Sequence, residues 1–468
     1  MNCKQREDSG LKTFRYHLVG IGGIGMSAIA RVLLDRGFAV SGSDLRRSKL
    51  TEQLSALGAK IFIGHDEANL NGADAVVFSS AVKSDNPEVA AAVRNGLQVL
   101  SRGEMLGKLM QGTFGIAVAG THGKTTTTGM VAAVLSECGL DPTVLLGGEV
   151  AAIGGNAKIG RSNYFVTEAC EAYGSFLHLH PNIAVVTNID EDHLDFYKSI
   201  AEVKRGFLGF LDNVAENGCA VVCTDCPNVR SIIPNIRCKT VTYGLHSDAD
   251  LTAVEIQKRG WSSSYRLVLR GKPESRVVLN VPGMQNIQDS LAAVAVGIEL
   301  GLPVESVCSA LAAFSGVSRR FEKLYQAHGI ILVDDYAHHP TEISATLDTC
   351  REWFAPSRLI AVFQPHLYSR TRQLVERFVE SFKSPDWVIV TDIYPAREEP
   401  IPGITGEWLA EKIRGDREPR TTSFVSPKER IVDVLKSELV SGDMVVFMGA
   451  GDIHCVGAEL AGLLASRD

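Results

Sequence analysis

Two glycine-rich segments, each set between an apolar run and a helix-period stretch, constrain this chain more than any other feature. Gly20-Ile21-Gly22-Gly23-Ile24-Gly25 follows Tyr16–Val19, and Gly120-Thr121-His122-Gly123-Lys124-Thr125-Thr126 follows Phe114–Ala119. A strand that turns on glycine straight into a helix is the building unit of parallel α/β sheets. The same alternation predicts further strands at Ala39–Ser43, near Ile61, and at Ala75–Phe78, Tyr164–Val166, Ile183–Thr187, Ile330–Asp334, Leu359–Phe363, Trp387–Thr391 and Met444–Met448. Helices are expected at Thr51–Leu57, Lys124–Cys138, Gln285–Leu300 and Val304–Phe314, and short alternating stretches over Leu251–Leu279 read as antiparallel strands. A chain of 468 residues has room for about three domains. The texture changes near 106 and 318. The expected architecture is α/β with three domains in series, at 1–106, 107–318 and 319–468. The central one combines a parallel sheet with small antiparallel strands.

Composition narrows the function classes. Forty-seven Lys and Arg against 54 Asp and Glu give a net charge of −7, so no general attraction draws the chain to nucleic acid or anionic membrane. Met1–Ser9 is polar, unlike a signal peptide, and no apolar run reaches the roughly 18 residues of a membrane helix. A cytoplasmic protein acting on small molecules, monomeric or weakly dimeric, is the expectation. The ten cysteines form no disulfide framework. Cys219, Cys223 and Cys226 have a cluster-like spacing, but Ala220-Val221-Val222 reads as a buried strand that holds the first two about 13 Å apart. They are expected to be ordinary buried hydrophobes.

The first glycine loop matches G-x-G-x-x-G, and Asp44 ends the next strand where a ribose-binding carboxylate would sit. Glycines let the backbone approach a diphosphate at the helix N-terminus. Taken alone this favours a dinucleotide; close helix–strand packing is the plainer alternative. In the second loop, backbone N–H groups cradle phosphates, Lys124 supplies a charge, and a Thr hydroxyl can ligate Mg²⁺. The full Walker pattern wants Gly where Val118 stands. A dehydrogenase has no use for this second site.

Glu168 and Glu171 follow one central strand, and Asn188-Ile189-Asp190-Glu191-Asp192-His193 follows another. Both segments leave strand carboxyl ends, where oxygen ligands suit Mg²⁺ shared with phosphates. Glu168 and His193 are read as metal ligands; Asp190, Glu191 and Asp195 are read as charge at a helix N-terminus. Asp334-Asp335-Tyr336-Ala337-His338-His339-Pro340 invites a zinc hypothesis, but neighbouring side chains on an extended segment diverge, so substrate or ribose contact is the better reading. Gln364-Pro365-His366-Leu367-Tyr368-Ser369-Arg370-Thr371-Arg372 offers arginines to a carboxylate or phosphate, or is simply an exposed basic helix start.

Together the Gly20–Gly25 loop, Gly120–Thr126, Thr187–His193, Ser318-Arg319-Arg320-Phe321-Glu322 and the segments from Asp334 and Gln364 resemble the Mur ligase family. Pro395-Ala396-Arg397-Glu398 and Met448-Gly449-Ala450-Gly451-Asp452 extend the resemblance to nearly the whole chain. It implies a Rossmann-like N-terminal UDP-binding domain, a central P-loop-type ATPase and a Rossmann-like C-terminal amino-acid domain, and it revises the first loop from a dinucleotide to a UDP-sugar diphosphate. The implied substrates are UDP-N-acetylmuramate, L-alanine and ATP, with Mg²⁺. UDP-sugar contacts would come from Gly22, Gly23, Ile24, Gly25, Asp44, Ser79, Ser80 and Asn86. ATP would be held by Gly120, Thr121, His122, Gly123, Lys124, Thr125, Thr126, Asn286, Arg320 and Asp335, and Mg²⁺ by Thr125, Glu168 and His193. Lys124, Glu168, His193 and Arg320 would be catalytic; Tyr336, His366 and Arg370 would form the amino-acid side.

Three places depart from the family pattern. Gln285 and Asp289 flank Asn286 where His and Asn are usual, Cys170 replaces Asp, and Leu367 stands where many relatives carry Arg. The implied chemistry is peptide-bond formation through an acyl phosphate. A sibling that attaches a preformed peptide, an NAD(P)-dependent oxidoreductase and a UDP-sugar sensor without turnover are the rival readings.

Overall fold

The computed structural model describes residues 13–79, 81–83, 85–150, 153–193, 196–246, 248–396, 398–415 and 421–466. Of the residues singled out above, Met1–Ser9, Ser80, Asp195 and Arg397 lie outside these.

The Val- and Ile-rich runs pair into three sheets. The first contains β1 (Arg15–Val19), β2 (Ala39–Asp44), β3 (Lys60–Ile63), β4 (Ala75–Phe78) and β5 (Gln98–Ser101), all parallel, in the order β3-β2-β1-β4-β5. Alternation along the strands serves both faces: Leu18 and Val77 pack with Ile29 and Leu33 of the helix Ile24–Asp35, while Val19 and Val76 pack with Val89 and Ala92 of the helix Pro87–Arg94.

The central sheet has ten strands: β6 (Phe114–Ala119), β7 (Thr143–Val150), β8 (Gly155–Lys158), β9 (Tyr164–Ala169), β10 (Ile183–Val186), β11 (Cys219–Cys223), β12 (Lys239–Gly244), β13 (Leu251–Arg259), β14 (Ser262–Leu269) and β15 (Lys272–Leu279). Their order is β15-β14-β13-β12-β11-β10-β6-β9-β7-β8; the run from β7 to β13 is parallel, and β14, β15 and β8 are antiparallel additions at the two ends. Val118 lies inside β6 between Val185 and Glu168, so the phosphate loop starts only at Gly120. Cys219 and Cys223 are buried in β11 as free thiols.

The third sheet runs β16-β17-β21-β18-β19-β20, from β16 (Glu322–Ala327), β17 (Ile330–Asp335), β18 (Arg358–Phe363), β19 (Trp387–Val390), β20 (Thr421–Phe424) and β21 (Asp443–Met448). Only β16 is antiparallel to its neighbour. Setting β21 between β17 and β18 brings Asp335, Gly449 and Gln364 to one edge, where the Gly449 N–H donates to the Asp335 carbonyl and the Gln364 N–H to that of Met448.

The cut expected at 106 falls inside the helix Arg102–Met110. The apolar residues Leu106, Leu109 and Met110 are not the start of a second unit; they are the buried face of a helix whose core also contains Phe176 and Leu179 of the central domain. The sheets therefore change at Gln111-Gly112-Thr113.

The carboxyl edge of the first sheet is braced by a buried carboxylate that the sequence does not advertise. Glu88 is fully buried and accepts hydrogen bonds from Ser43 Oγ at 2.5 Å, Asn69 Nδ2 at 2.7 Å and His65 Nδ1 at 2.9 Å, with His17 Nε2 at 3.5 Å. Burial opposes its charge, yet these donors bring its pKa down to about 2. A carboxylate depressed in the fold stabilises above its unfolded pKa and loses that contribution as pH falls toward the folded one. Stability should therefore decline between about pH 4.5 and pH 2, on the order of 3 kcal/mol being at stake. Thermal unfolding of the Glu88→Gln variant should be weaker at pH 7 and flatter across that window; an unchanged pH profile would refute the assignment.

Candidate active site

Both glycine loops follow the strand at which successive connections reverse direction: β1 has β2 on one side and β4 on the other, and β6 has β9 and β10. The crevice at such a reversal is where open α/β sheets bind ligands. In the first loop the Gly22 N–H donates to Asp44 Oδ2 at 2.9 Å, and a Cβ on Gly22 would stand 2.8 Å from that oxygen. Asp44 thus holds the loop as well as facing the ligand edge. Gly23 opens the helix Ile24–Asp35 without a side-chain cap, leaving its first N–H groups available to an anion. Ser79 Oγ accepts from the Ala81 N–H, and Asn86 Oδ1 caps the helix Pro87–Arg94.

In the second loop Gly123, at a φ of 80°, turns the chain into the helix Lys124–Glu137, and a Cβ there would meet Asp289 Oδ1 at 2.8 Å. Lys124 Nζ donates to the carbonyls of Gly120 and Thr121 and to Glu171, 2.9 Å from Oε2 and 3.2 Å from Oε1. Burial disfavours its charge, but Glu171 more than compensates and holds the amine protonated, its pKa above the ordinary lysine value. Glu171 is therefore the counter-ion of Lys124, a pairing that spacing alone did not reveal. Glu168, within β9, accepts from the Gly147 N–H at 2.6 Å, and the methyl of Thr125 lies against the neighbouring Gly148.

The segment after β10 closes the site from a third side and corrects the reading of its acids. The next helix is Ile200–Asp212, capped by Ser199, so Asp190 and Glu191 are not at a helix N-terminus. Asp190 instead accepts from Arg377 (Nη1 to Oδ1 at 3.0 Å, Nη2 to Oδ2 at 2.9 Å) and from Thr341 Oγ1 at 2.6 Å, both on the C-terminal domain. Asp192 receives Arg370 Nη2 at 2.8 and 3.1 Å. Against the cost of burial, these partners hold both carboxyls far below the usual carboxylate range. His193 sits beside Asp192 with a φ of 53°, a left-handed conformation that non-glycine residues rarely adopt. It lines neither of the two cavities described below.

The linker supplies the remaining charge. Arg319 and Phe321 have φ values of 60° and 50°, and between them Arg320 points its guanidinium over the Tyr336 ring, 4.9 Å from its centre, with Glu342 3.7 Å away. Arg319 covers the same ring at 4.9 Å and pairs with Asp334 at 3.3 Å. His338 and His339 do diverge: His338 Nδ1 lies 2.9 Å from the Tyr336 carbonyl, whereas His339 Nε2 reaches the Glu191 carbonyl at 3.2 Å. Burial, then Arg370 and His366, keep His338 neutral, with a pKa near 3. His366 stacks on Tyr394 and lies 3.2 Å from Arg370 Nη1. Asp335 accepts from Thr346 Oγ1 at 2.7 Å, and burial lifts its pKa to about 6.

Two cavities flank the phosphate loop. One, of about 460 Å³, lies between the central and C-terminal domains and is lined by His122, Gly123, Asn286, Asp289, Arg320 and Asp335 among others. Gln285 also lines it and reaches across to Thr349 Oγ1 at 3.3 Å. The other, of about 340 Å³, joins Gly23, Ile24 and Gly25 of the first loop, and Ser79 after β4, to Lys124 and Glu168. Cys170 lines it, and so does Arg102, which the sequence reading missed because it looks like any basic residue at a helix start. Tyr336, His366 and Arg370 lie outside both linings, at the C-terminal edge facing Asp192.

A three-domain ligase with a phosphate-binding loop in its central domain is what this arrangement fits, and comparison with known proteins gives the family. The chain matches the Mur ligase family catalytic domain over residues 15–113, the Mur ligase middle domain over 118–297 and the Mur ligase glutamate ligase domain over 319–451. It belongs to the Mur ligase family. It is 48% identical over 449 residues to the UDP-N-acetylmuramate–L-alanine ligase of Geobacter sp. (strain M21), covering 96% of this chain and 97% of that one. The protein of the same name from Geotalea daltonii is also 48% identical, over 96% of this chain and 98% of its own. Among solved structures, the UDP-N-acetylmuramate–alanine ligase of Thermotoga maritima superposes with a TM-score of 0.82 at 29% identity, over 97% of this chain and 100% of that one. A murein peptide ligase from Psychrobacter arcticus shares the fold, with a TM-score of 0.71 at 24% identity over 96% and 98% of the two chains.

The Asp190–Arg377 pair ties the central and C-terminal domains together while remaining partly open to solvent, with 20% and 38% of the two side chains exposed. Such a pair is worth about 1 kcal/mol, so Arg377→Ala should shift the balance between closed and open domains roughly fivefold toward open. Small-angle scattering should show a larger radius of gyration with unchanged far-ultraviolet dichroism. An identical scattering curve would mean the pair does not hold the domains.

Proposed function

We propose that this chain joins L-alanine to the carboxylate of UDP-N-acetylmuramate with cleavage of ATP to ADP and phosphate, a step in making peptidoglycan precursors. The observation that carries the reading is that both phosphate-binding loops open on one cavity, so a carboxylate attached to a UDP-sugar bound at Gly22–Gly25 faces Lys124. The name borne by relatives 48% identical over nearly the whole chain supports the choice of substrates. An oxidoreductase would leave Gly120–Thr126 without a role. A cytoplasmic setting follows from the nucleotide substrates, and no helix among the described residues is long and apolar enough to cross a membrane.

The roles divide by sheet. The first sheet holds the UDP-sugar through Gly22, Gly23, Ile24, Gly25 and the Asp44-braced turn, with Ser79, Asn86 and Arg102 at its edge. The central loop Gly120–Thr126 cradles the ATP phosphates, while Asn286 and Asp335 take the base and ribose in the larger cavity. The Glu168 carboxylate, which accepts from the Gly147 N–H, and the Thr125 hydroxyl are hard oxygen donors that would hold one Mg²⁺, and His193 would hold a second. When bound, Mg²⁺ supplies charge neutralisation to the phosphate oxygens. Tyr336, His366 and Arg370 form the alanine side, with Arg370 leaving Asp192 to meet the amino-acid carboxylate.

A carboxylate cannot expel oxide to accept an amine, so the sugar's carboxylate oxygen first attacks the γ-phosphorus and ADP leaves. Lys124 exchanges Glu171 and its own loop carbonyls for the γ-phosphoryl oxygens, and it arrives protonated because Glu171 has kept it so. Arg320 adds charge from the linker. The neutral amine of alanine then attacks the acyl carbon; the C–O bond to phosphate breaks from the tetrahedral intermediate, and the nitrogen's surplus proton passes to the departing phosphate or to water.

Phosphate release from Mg·ATP should require both UDP-N-acetylmuramate and L-alanine, and Lys124→Ala should lower it by at least about 10²-fold with the fold intact. Release with a preformed peptide but not with alanine would point to the sibling activity, and no substrate-dependent release at all would sink the ligase reading.

A further inference from the structure

Closure of the C-terminal domain brings together three groups that the proposed chemistry does not use as a set: His122 of the phosphate loop, Asp190 after β10, and His339 at the start of the helix Pro340–Thr349. We propose that they form a binding site for a zinc-class transition-metal ion, which staples the phosphate loop to the C-terminal domain. One ligand atom from each lies within 4.8 Å of the other two. His122 Nε2 is 3.4 Å and His339 Nδ1 3.7 Å from the same oxygen, Asp190 Oδ2. A tetrahedral ion with bonds of about 2.0–2.1 Å sets its ligands about 3.3 Å apart, so modest inward movement completes the geometry. The two imidazole rings already lie side by side, 4.7 Å between centres.

The outer contacts point the same way. A metal-ligating imidazole is normally oriented by a hydrogen bond from its other nitrogen to a carboxylate or carbonyl. Here His122 Nδ1 faces Glu342 Oε1 at 3.2 Å, and His339 Nε2 faces the Glu191 carbonyl at 3.2 Å. Donation from Nε2 leaves His339 Nδ1 without a proton; its lone pair caps the helix Pro340–Thr349, accepting from the Thr341 N–H at 3.4 Å, a long cap contact that an ion would replace, and it lies 3.7 Å from a carboxylate oxygen. A cation between them removes that opposition. Two imidazoles and one carboxylate select Zn²⁺ or its neighbours over Mg²⁺. The ion takes the place of the Thr341 hydroxyl and of Arg377 Nη2 on Oδ2, while Arg377 Nη1 keeps Oδ1. Because His122 and Asp190 line the nucleotide cavity, water or a phosphate oxygen can fill the fourth position.

The ligands come from two domains, so the bound ion stabilises the closed arrangement and slows release of product. The site depends only on the closed geometry, and its binding test stands apart from the ligase assay. Calorimetric titration of the full chain with zinc chloride in excess Mg²⁺ should give one saturable site, lost in His339→Gln. Glu342→Gln should weaken it 10- to 100-fold. Co²⁺ should give the intense visible absorption of a tetrahedral complex, and X-ray absorption at the zinc edge of the unaltered chain should show imidazole and oxygen ligands only. Absence of saturable binding, equal affinity in a folded His339→Gln, or sulfur scattering at the zinc edge would overturn the proposal. If His339→Gln does not fold, Glu342→Gln and the edge spectrum decide.

Discussion

A parallel strand delivers all its loop chemistry to one edge, and the site depends on that constraint. The loops after β1, β6, β10 and β17 each leave a carboxyl end. The cavities show that these edges converge: the first loop meets Lys124 on one side of the phosphate loop, and Asp335 meets His122 and Gly123 on the other. A nucleotide reaching along the larger cavity would therefore place its terminal phosphate at the opening of the smaller one. The reaction needs that relation and little else from the scaffold.

Charge compensation makes the arrangement stable before substrates arrive. Lys124 is buried against Glu171, Arg370 against Asp192, and Asp190 collects Arg377, Thr341 and His122. Burial opposes the charge on His122, yet Asp190 and Glu342 raise its pKa to about 9. Lys124 and Arg370 each hold a carboxylate that a substrate phosphate or carboxylate can replace, so neither cation is left unpaired before or after binding. The exchange at Arg370 couples ligand binding to domain position, because its pairing with Asp192 crosses between domains.

Much of the fold was legible because both periodicities were strong. β4 and β6 are apolar throughout, and β18 and β21 after their first residue, and their places follow from that pattern. β8 (Gly-Asn-Ala-Lys) and β16 (Glu-Lys-Leu-Tyr-Gln-Ala) were not foreseen: both are edge strands whose composition is dictated by solvent as much as by pairing. The cut near 106 failed because a helix shared by two cores has no polar break to mark it. Asp190 was misread for a similar reason, since an acid that meets an arginine 187 positions later looks locally like helix-start solvation.

The sequence by itself determined the α/β class, the two phosphate-binding turns and the family, because glycine loops between strand and helix carry their geometry locally. Lys124 could be singled out from its loop for the same reason, Glu168 from its place near a strand's carboxyl end, and Arg320 from the family resemblance alone. Only the tertiary structure decided that Lys124 rests on Glu171, that Glu88 is the buried anchor of the first sheet, and that His122, Asp190 and His339 meet. Those contacts join residues up to 217 positions apart in number, and no local pattern encodes a distance that chain folding alone makes short.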